Sequence, residues 1–204
     1  MNYKLLILLL CLNLSSRAQN LDLRLYDHIH GKRNQSLDGA MHAVSVSAYP
    51  LSLAVPLGQF IYGFAGHDKK SLENAEQTAG ALIIAATFTY GIKYIADRDR
   101  PFVSHPQYIP YEYDTSPSMP SGHTSIVFAT ATSLSLQYKR WYIVAPAFLY
   151  AGAVGYSRIH LGAHYPSDVA VAAIIGAGSS FASYKVNQWL RKKWLRKTEE
   201  KLTD

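Results

Sequence analysis

Five stretches of the chain, 41–66, 77–92, 124–138, 141–156 and 169–184, contain no Asp, Glu, Lys or Arg and are rich in Ala, Leu, Ile and Gly. Polar connections separate them, of which 93–123 and 157–168 carry Gly and Pro. A run of that length buried in lipid or in a protein core must satisfy its own backbone hydrogen bonds, and an α-helix does so within the segment. No internal repeat competes with this reading. The pattern predicts an all-α fold, a helical bundle of about five or six helices in which Pro50 breaks the first run. Most runs fall a little short of the ~20 residues of a spanning helix, so length alone leaves a membrane bundle and a soluble one open.

Charge placement favours the membrane. The formal net charge is +6. Its cations gather in alternate connections: Lys69 and Lys70, then Lys139 and Arg140, then Lys185 to Lys197. In a spanning bundle all three lie on one side, as the excess of Lys and Arg on cytoplasmic loops requires. The chain start agrees, with a basic Lys4, an apolar stretch at 5–14 and Ser16-Arg17-Ala18 as a small-x-small cleavage pattern. Residues 1–18 are expected to be a signal peptide, with a retained anchor as the alternative. The only cysteine, Cys11, lies in that stretch, so the processed chain has no disulfide and no thiolate metal site. The expected location is a bacterial-type inner membrane with the remaining connections facing the periplasm; the alternative is a soluble periplasmic protein.

Those outward connections carry the chemistry. Lys93 and Arg100, then Ser121-Gly122-His123, then Arg158, His164 and Asp168 each stand where an apolar run begins or ends. Alternate ends of antiparallel helices converge on one face. Lys93, Arg100 and Arg158 repel one another unless an anion joins them, and phosphate suits guanidinium forks. A helix opening at Ser121 and Gly122 adds free amides and a positive dipole end. Asp168 follows His164 by four residues, close enough to reach back, fix the ring tautomer and present Nε2 as a nucleophile. His123, on another helix, is then placed as the general acid for the leaving oxygen.

Lys93 with Arg100-Pro101, Pro120-Ser121-Gly122-His123, and Ser157-Arg158 with His164 and Asp168 together fit K-x6-RP, PSGH and SR-x5-H-x3-D at every specified position. In this the chain resembles the type 2 phosphatidic acid phosphatase (PAP2) superfamily over roughly 77–188, in its membrane-associated lipid phosphatase branch. The resemblance implies a helical bundle, a phosphohistidine at His164 and acid catalysis by His123. Phosphate binding falls to Lys93, Arg100, Ser121, Gly122 and Arg158. It also implies that no metal or other cofactor is needed. The expected partner is a phosphorylated lipid or small phosphate ester, cleaved as a monoester or a pyrophosphate, with no role for nucleic acid. The expected organisation is a polar or amphipathic segment at 19–48, the phosphatase domain at 49–190 and a basic tail at 191–204.

Other polar residues are set aside. Asp97, Arg98 and Asp99 read as solvated charges in a spacer, and His160 as a helix-end residue. His28, His30, His42 and His67 lack ligand spacing and read as surface or capping histidines. The connection 102–119 is long for a compact domain, which suits a lid or simple filling. Two enzyme alternatives are a soluble periplasmic acid phosphatase and a vanadium-dependent haloperoxidase, the latter disfavoured by length. A non-catalytic anion-binding membrane protein is a third alternative, but it has no use for His123, His164 and Asp168 together.

Overall fold

The computed structural model describes residues 21–203, and the expected signal peptide with Cys11 lies outside the described residues. All regular structure among them is helical. A helical segment at 21–31 leads through a short turn to α1 (Asp38–Val46), α2 (Ala48–Ala65), α3 (Lys69–Ala96), α4 (Gly122–Tyr138), α5 (Trp141–His160) and α6 (Pro166–Thr203), as the expected helical bundle requires.

The helices outrun the apolar stretches because their caps are polar. Asp68 accepts from the amides of Lys70 and Ser71 to open α3, and Ser121 accepts from Thr124 N to open α4. Residues in the left-handed region end both helices, Asp97 at φ 40° and Lys139 at φ 47°. The break expected at Pro50 falls instead at Ser47. Pro50 sits in the first turn of α2, where an amide would lack an intrahelical partner anyway.

Packing decides between lipid and water. The central core is built from small and polar groups: Ala48, Ala85, Ala129, Ala131 and Ala151 around Leu82, Val127 and Val154. Gln77 donates to Ser133 and Ser180, which bond each other at 2.8 Å. Large apolar side chains point outward instead, among them Leu53, Phe60, Phe64, Ile83, Phe88, Leu149, Ile174 and Phe181. A soluble bundle does the reverse, whereas helices in lipid meet through small residues and polar contacts. A Cβ on Gly176 would stand 2.9 Å from Ala129 N, so α6 lies hard against α4. Three helical stretches, Gln35–Ala65, Lys69–Ser104 and Pro166–Lys193, are long and apolar enough to cross a membrane. The protein is a membrane helical bundle.

The ends of α3 and α5 and the starts of α4 and α6 meet at one end of it. Ser118 N donates to Arg98 O at 2.7 Å, and Ser121 N to Asp168 O at 3.3 Å. The segment 21–46 crosses this end on a small core of Tyr26, Ile159 and Tyr165. The basic connections at Lys69 and Lys139 occupy the other end of α3 and α4.

Candidate active site

Each motif residue is delivered by a helix end. Lys93 lies in the last turn of α3, and Arg100 follows the left-handed turn at Asp97 that sends the chain back across the bundle. Ser121 caps α4, Gly122 and His123 form its first turn, and Arg158 lies in the last turn of α5. His164 sits in the five-residue connection before α6, with Asp168 in the first turn of α6.

The two central groups are fully enclosed, with His164 at 2 % exposure and Asp168 at 0 %. His164 Nδ1 stands 3.6 Å from Asp168 Oδ2, an ion-pair distance just beyond a hydrogen bond, and has no hydrogen-bond partner among the described residues. Asp168 is meanwhile heavily engaged. Its Oδ2 accepts from Ser118 Oγ at 2.5 Å and Tyr165 N at 2.9 Å, and its Oδ1 from Arg98 at 2.6 Å. A carboxylate held by so many donors stays ionised and fixed in direction. Burial, reinforced by the Arg158 and Arg100 cations, pushes the His164 pKa down to about 4 against the pull of Asp168. Its ring is therefore neutral at pH 7, as a nucleophile must be.

The three cations converge here, each buried and held. Lys93 Nζ donates to Pro117 O. Arg100 donates to Ser116 O at 2.7 Å, Ala163 O at 3.0 Å and the Asp114 carboxylate at 2.7 Å. Arg158 donates to Ser45 Oγ at 2.7 Å, and its Nε has no hydrogen-bond partner among the described residues. A cavity of about 390 Å³ opens beside them, lined by His123, Arg158, Ala163 and residues 111–115. Gly122 lies under Tyr49, whose hydroxyl a Cβ there would approach to 2.7 Å; the Tyr49 ring meets His123 edge-on at 4.7 Å. A cavity walled by His123 and Arg158, with Arg100 bonded to Ala163 and Asp114 in its wall, suits capture of a tetrahedral oxyanion.

The same segments carry the family. Residues 77–192 match the sequence model of the PAP2 superfamily. The chain belongs to the PAP2 superfamily. It is 33% identical over 107 residues to an undecaprenyl-diphosphatase of Sulfolobus acidocaldarius, covering 52% of each chain, so it spans about half the length of that relative. It is 26% identical to the undecaprenyl-diphosphatase BcrC of Bacillus subtilis, over 82% of this chain and 84% of the relative. The crystal structure of Aquifex aeolicus LpxE superposes with a TM-score of 0.69 at 28% identity, covering 81% of this chain and 95% of that one. The expected enzyme class, a PAP2-type phosphatase, agrees with the family and with both named diphosphatases.

Two polar residues near this PAP2 site were expected in solvent and are not: Arg98 is part-buried and His30 is buried. Arg98 is not a solvated charge: it bridges Asp168, Ser167 Oγ at 2.7 Å and Asp22 at 2.7 Å, with its guanidinium 4.0 Å from the centre of the Tyr165 ring. Its neighbours Asp97 and Asp99 are exposed as expected. His30 is not a surface histidine either. It is buried against His160 O at 2.9 Å, while His160 Nε2 donates to Asp38 Oδ1 at 2.9 Å at the end of α5. No local signal marks these contacts, since the partners of Arg98 lie 70 and 76 residues away.

Proposed function

We propose that this PAP2 protein hydrolyses the phosphate monoester or pyrophosphate of a membrane lipid through a phosphohistidine at His164. The observation that carries the proposal is the enclosed His164–Asp168 pair next to a cavity edged by His123 and Arg158, with Arg100 bonded to Ala163 in its wall. His164 Nε2 attacks phosphorus in line, and the bond to the leaving oxygen breaks as His123 donates a proton there. Burial and the Arg158 cation hold the His123 pKa down to about 3, so that proton is taken up with the anionic substrate, whose charge offsets Arg158. Arg158, with its unpartnered Nε, Arg100, Lys93 and the opening of α4 hold the equatorial oxygens. Asp168 stabilises the charge that develops on the ring. Water then attacks the phosphohistidine, gives its proton to the now neutral His123 and releases phosphate as the P–N bond breaks.

Every step uses protein groups and water only. The positive-inside rule turns the basic end of the bundle to the cytoplasm and this cavity to the periplasm, within reach of outer-leaflet lipids. The named relatives act on undecaprenyl diphosphate, which supports a lipid diphosphate as substrate. The test is phosphate release from a panel of lipid phosphates, lipid diphosphates and one small soluble ester at fixed detergent, with and without EDTA. Turnover of the lipids that survives EDTA and disappears in His164→Ala is expected. Equal activity of His164→Ala and wild type, or strong preference for the soluble ester, overturns the reading.

A further inference from the structure

The nucleophile rides on a connection with no regular structure of its own, and its shape is imposed from outside. Gly162 turns there at φ +80°, and a Cβ on it would come within 2.5 Å of His30 Cε1. Tyr26 donates to Gly162 O at 3.2 Å. His30 Nδ1 meets His160 O at 2.9 Å. Residues 22–45, which the sequence reading assigned to a segment preceding the phosphatase domain, thus grip both flanks of this connection.

The grip reaches the catalytic pair through Asp22. This carboxylate is buried; its Oδ1 accepts from Ser167 N at 2.8 Å and its Oδ2 from Ser167 Oγ at 2.6 Å. Asp22 therefore caps α6 from a distant part of the chain, one residue before Asp168, and a negative group at a helix start is favourable in itself. The second tie runs through Arg98, whose NH2 binds Asp22 and whose NH1 binds Asp168 Oδ1. Holding Oδ1 this way turns Oδ2 toward His164 Nδ1. A guanidinium is a rigid fork, so fixing one prong fixes the other. Tyr165 stacks on its face and removes the remaining rotation.

We propose that Asp22 and Arg98 are positioning residues for the His164–Asp168 pair, and that the catalytic unit of this protein begins at Asp22. The inference rests on His164 being the nucleophile. Neither residue touches substrate; both act through Asp168.

A double-mutant cycle on the full chain in detergent distinguishes positioning from mere structural support. Asp22→Asn alone is expected to lower kcat about ten- to hundredfold, the range met when an outer partner of a functional histidine is removed, with KM within about twofold. In the Asp168→Asn background the same change is expected to have little further effect, because the route it acts through is already gone. A purely structural residue gives losses that multiply in both backgrounds, and that result overturns the proposal, as does an unchanged kcat in Asp22→Asn. Should Asp22→Asn not fold, Ser167→Ala, which removes one of the Asp22 contacts and leaves the charge in place, goes through the same cycle with the same two outcomes. NMR titration of the His164 ring needs no turnover: its midpoint moves in Asp22→Asn if the pair is reset and stays put if the proposal is wrong. Absence of phosphate release by wild type from every lipid strikes the phosphatase reading instead, and this titration still decides the positioning role.

Discussion

Replacing Asp168 by Asn tests the electrostatic heart of the site with the smallest change of shape. The carboxylate oxygen stands 3.6 Å from His164 Nδ1 and both groups are enclosed. At an effective dielectric of about 20, a full charge on the ring would gain roughly 4 to 5 kcal/mol from it. The Arg98 guanidinium 2.6 Å from the other oxygen offsets part of this. Nucleophilic attack also develops only part of the ring charge by the transition state. The loss is then about 2 to 4 kcal/mol, which corresponds to a fall in kcat of about 30- to 1,000-fold. KM is expected to stay within about threefold, because phosphate is bound by the cations and not by Asp168. The assay is steady-state phosphate release with the preferred lipid substrate, alongside a melting curve in the same detergent. Asn cannot accept from Arg98, Ser118 and Tyr165 N as a carboxylate does, so the variant should also melt earlier. A folded Asp168→Asn enzyme with kcat within twofold of wild type refutes the argument that this carboxylate stabilises a histidine cation.

Three further outcomes follow from the same geometry. With its pKa lowered from 6.5 to about 4 by burial, His164 is protonated in the unfolded chain before the folded one as pH falls. Stability is therefore fully present above pH 6.5 and declines by about 3 kcal/mol as pH falls to about 4; a melting temperature indifferent to pH across that window, or a ring midpoint near 6.5 by NMR, contradicts this. Asp114 occupies Arg100 at 2.7 Å where a substrate oxygen is expected, and against partial burial the amide of Ser116, with Arg100, keeps its carboxyl below the usual range. Because Asp114 is half exposed, the contact is worth only about 1 kcal/mol, so Asp114→Asn should tighten inhibition by inorganic phosphate or vanadate about fivefold, and weaker inhibition refutes the competition. Gly176→Ala puts a methyl 2.9 Å from Ala129 N and 3.0 Å from Phe128 Cβ, which should destabilise by about 1 to 3 kcal/mol and show as earlier melting; an unchanged melt means α6 and α4 are not in close contact.

Which residues were legible beforehand has a physical basis. Lys93, Arg100, Arg158 and Asp168 stand out because a charge at the boundary of an apolar helix is conspicuous and costly without a purpose. The helices themselves were legible for the same reason, though not their ends, which Asp68 and Ser121 set by capping beyond the apolar runs. Arg98 was illegible because it sits in a short stretch already crowded with charge, beside the exposed Asp97 and Asp99. Only the fold separates the one that turns inward. The contacts of the expected polar or amphipathic segment, 19–48, are illegible for a related reason: its polar residues follow no motif, yet Asp22, His30, Asp38 and Ser45 are all buried. They are polar because the surface they cover is polar, namely the free carbonyls of His160 and Gly162, the amide of Ser167 and the guanidinium of Arg158. An irregular connection that carries a histidine among three cations cannot be packed with apolar side chains alone, and the groups that satisfy it have to come from somewhere else in the chain. In this bundle they come from residues 22–45, which lead into and open the first membrane-length stretch, Gln35–Ala65, and carry no motif residue, which is why motif spacing passes over them.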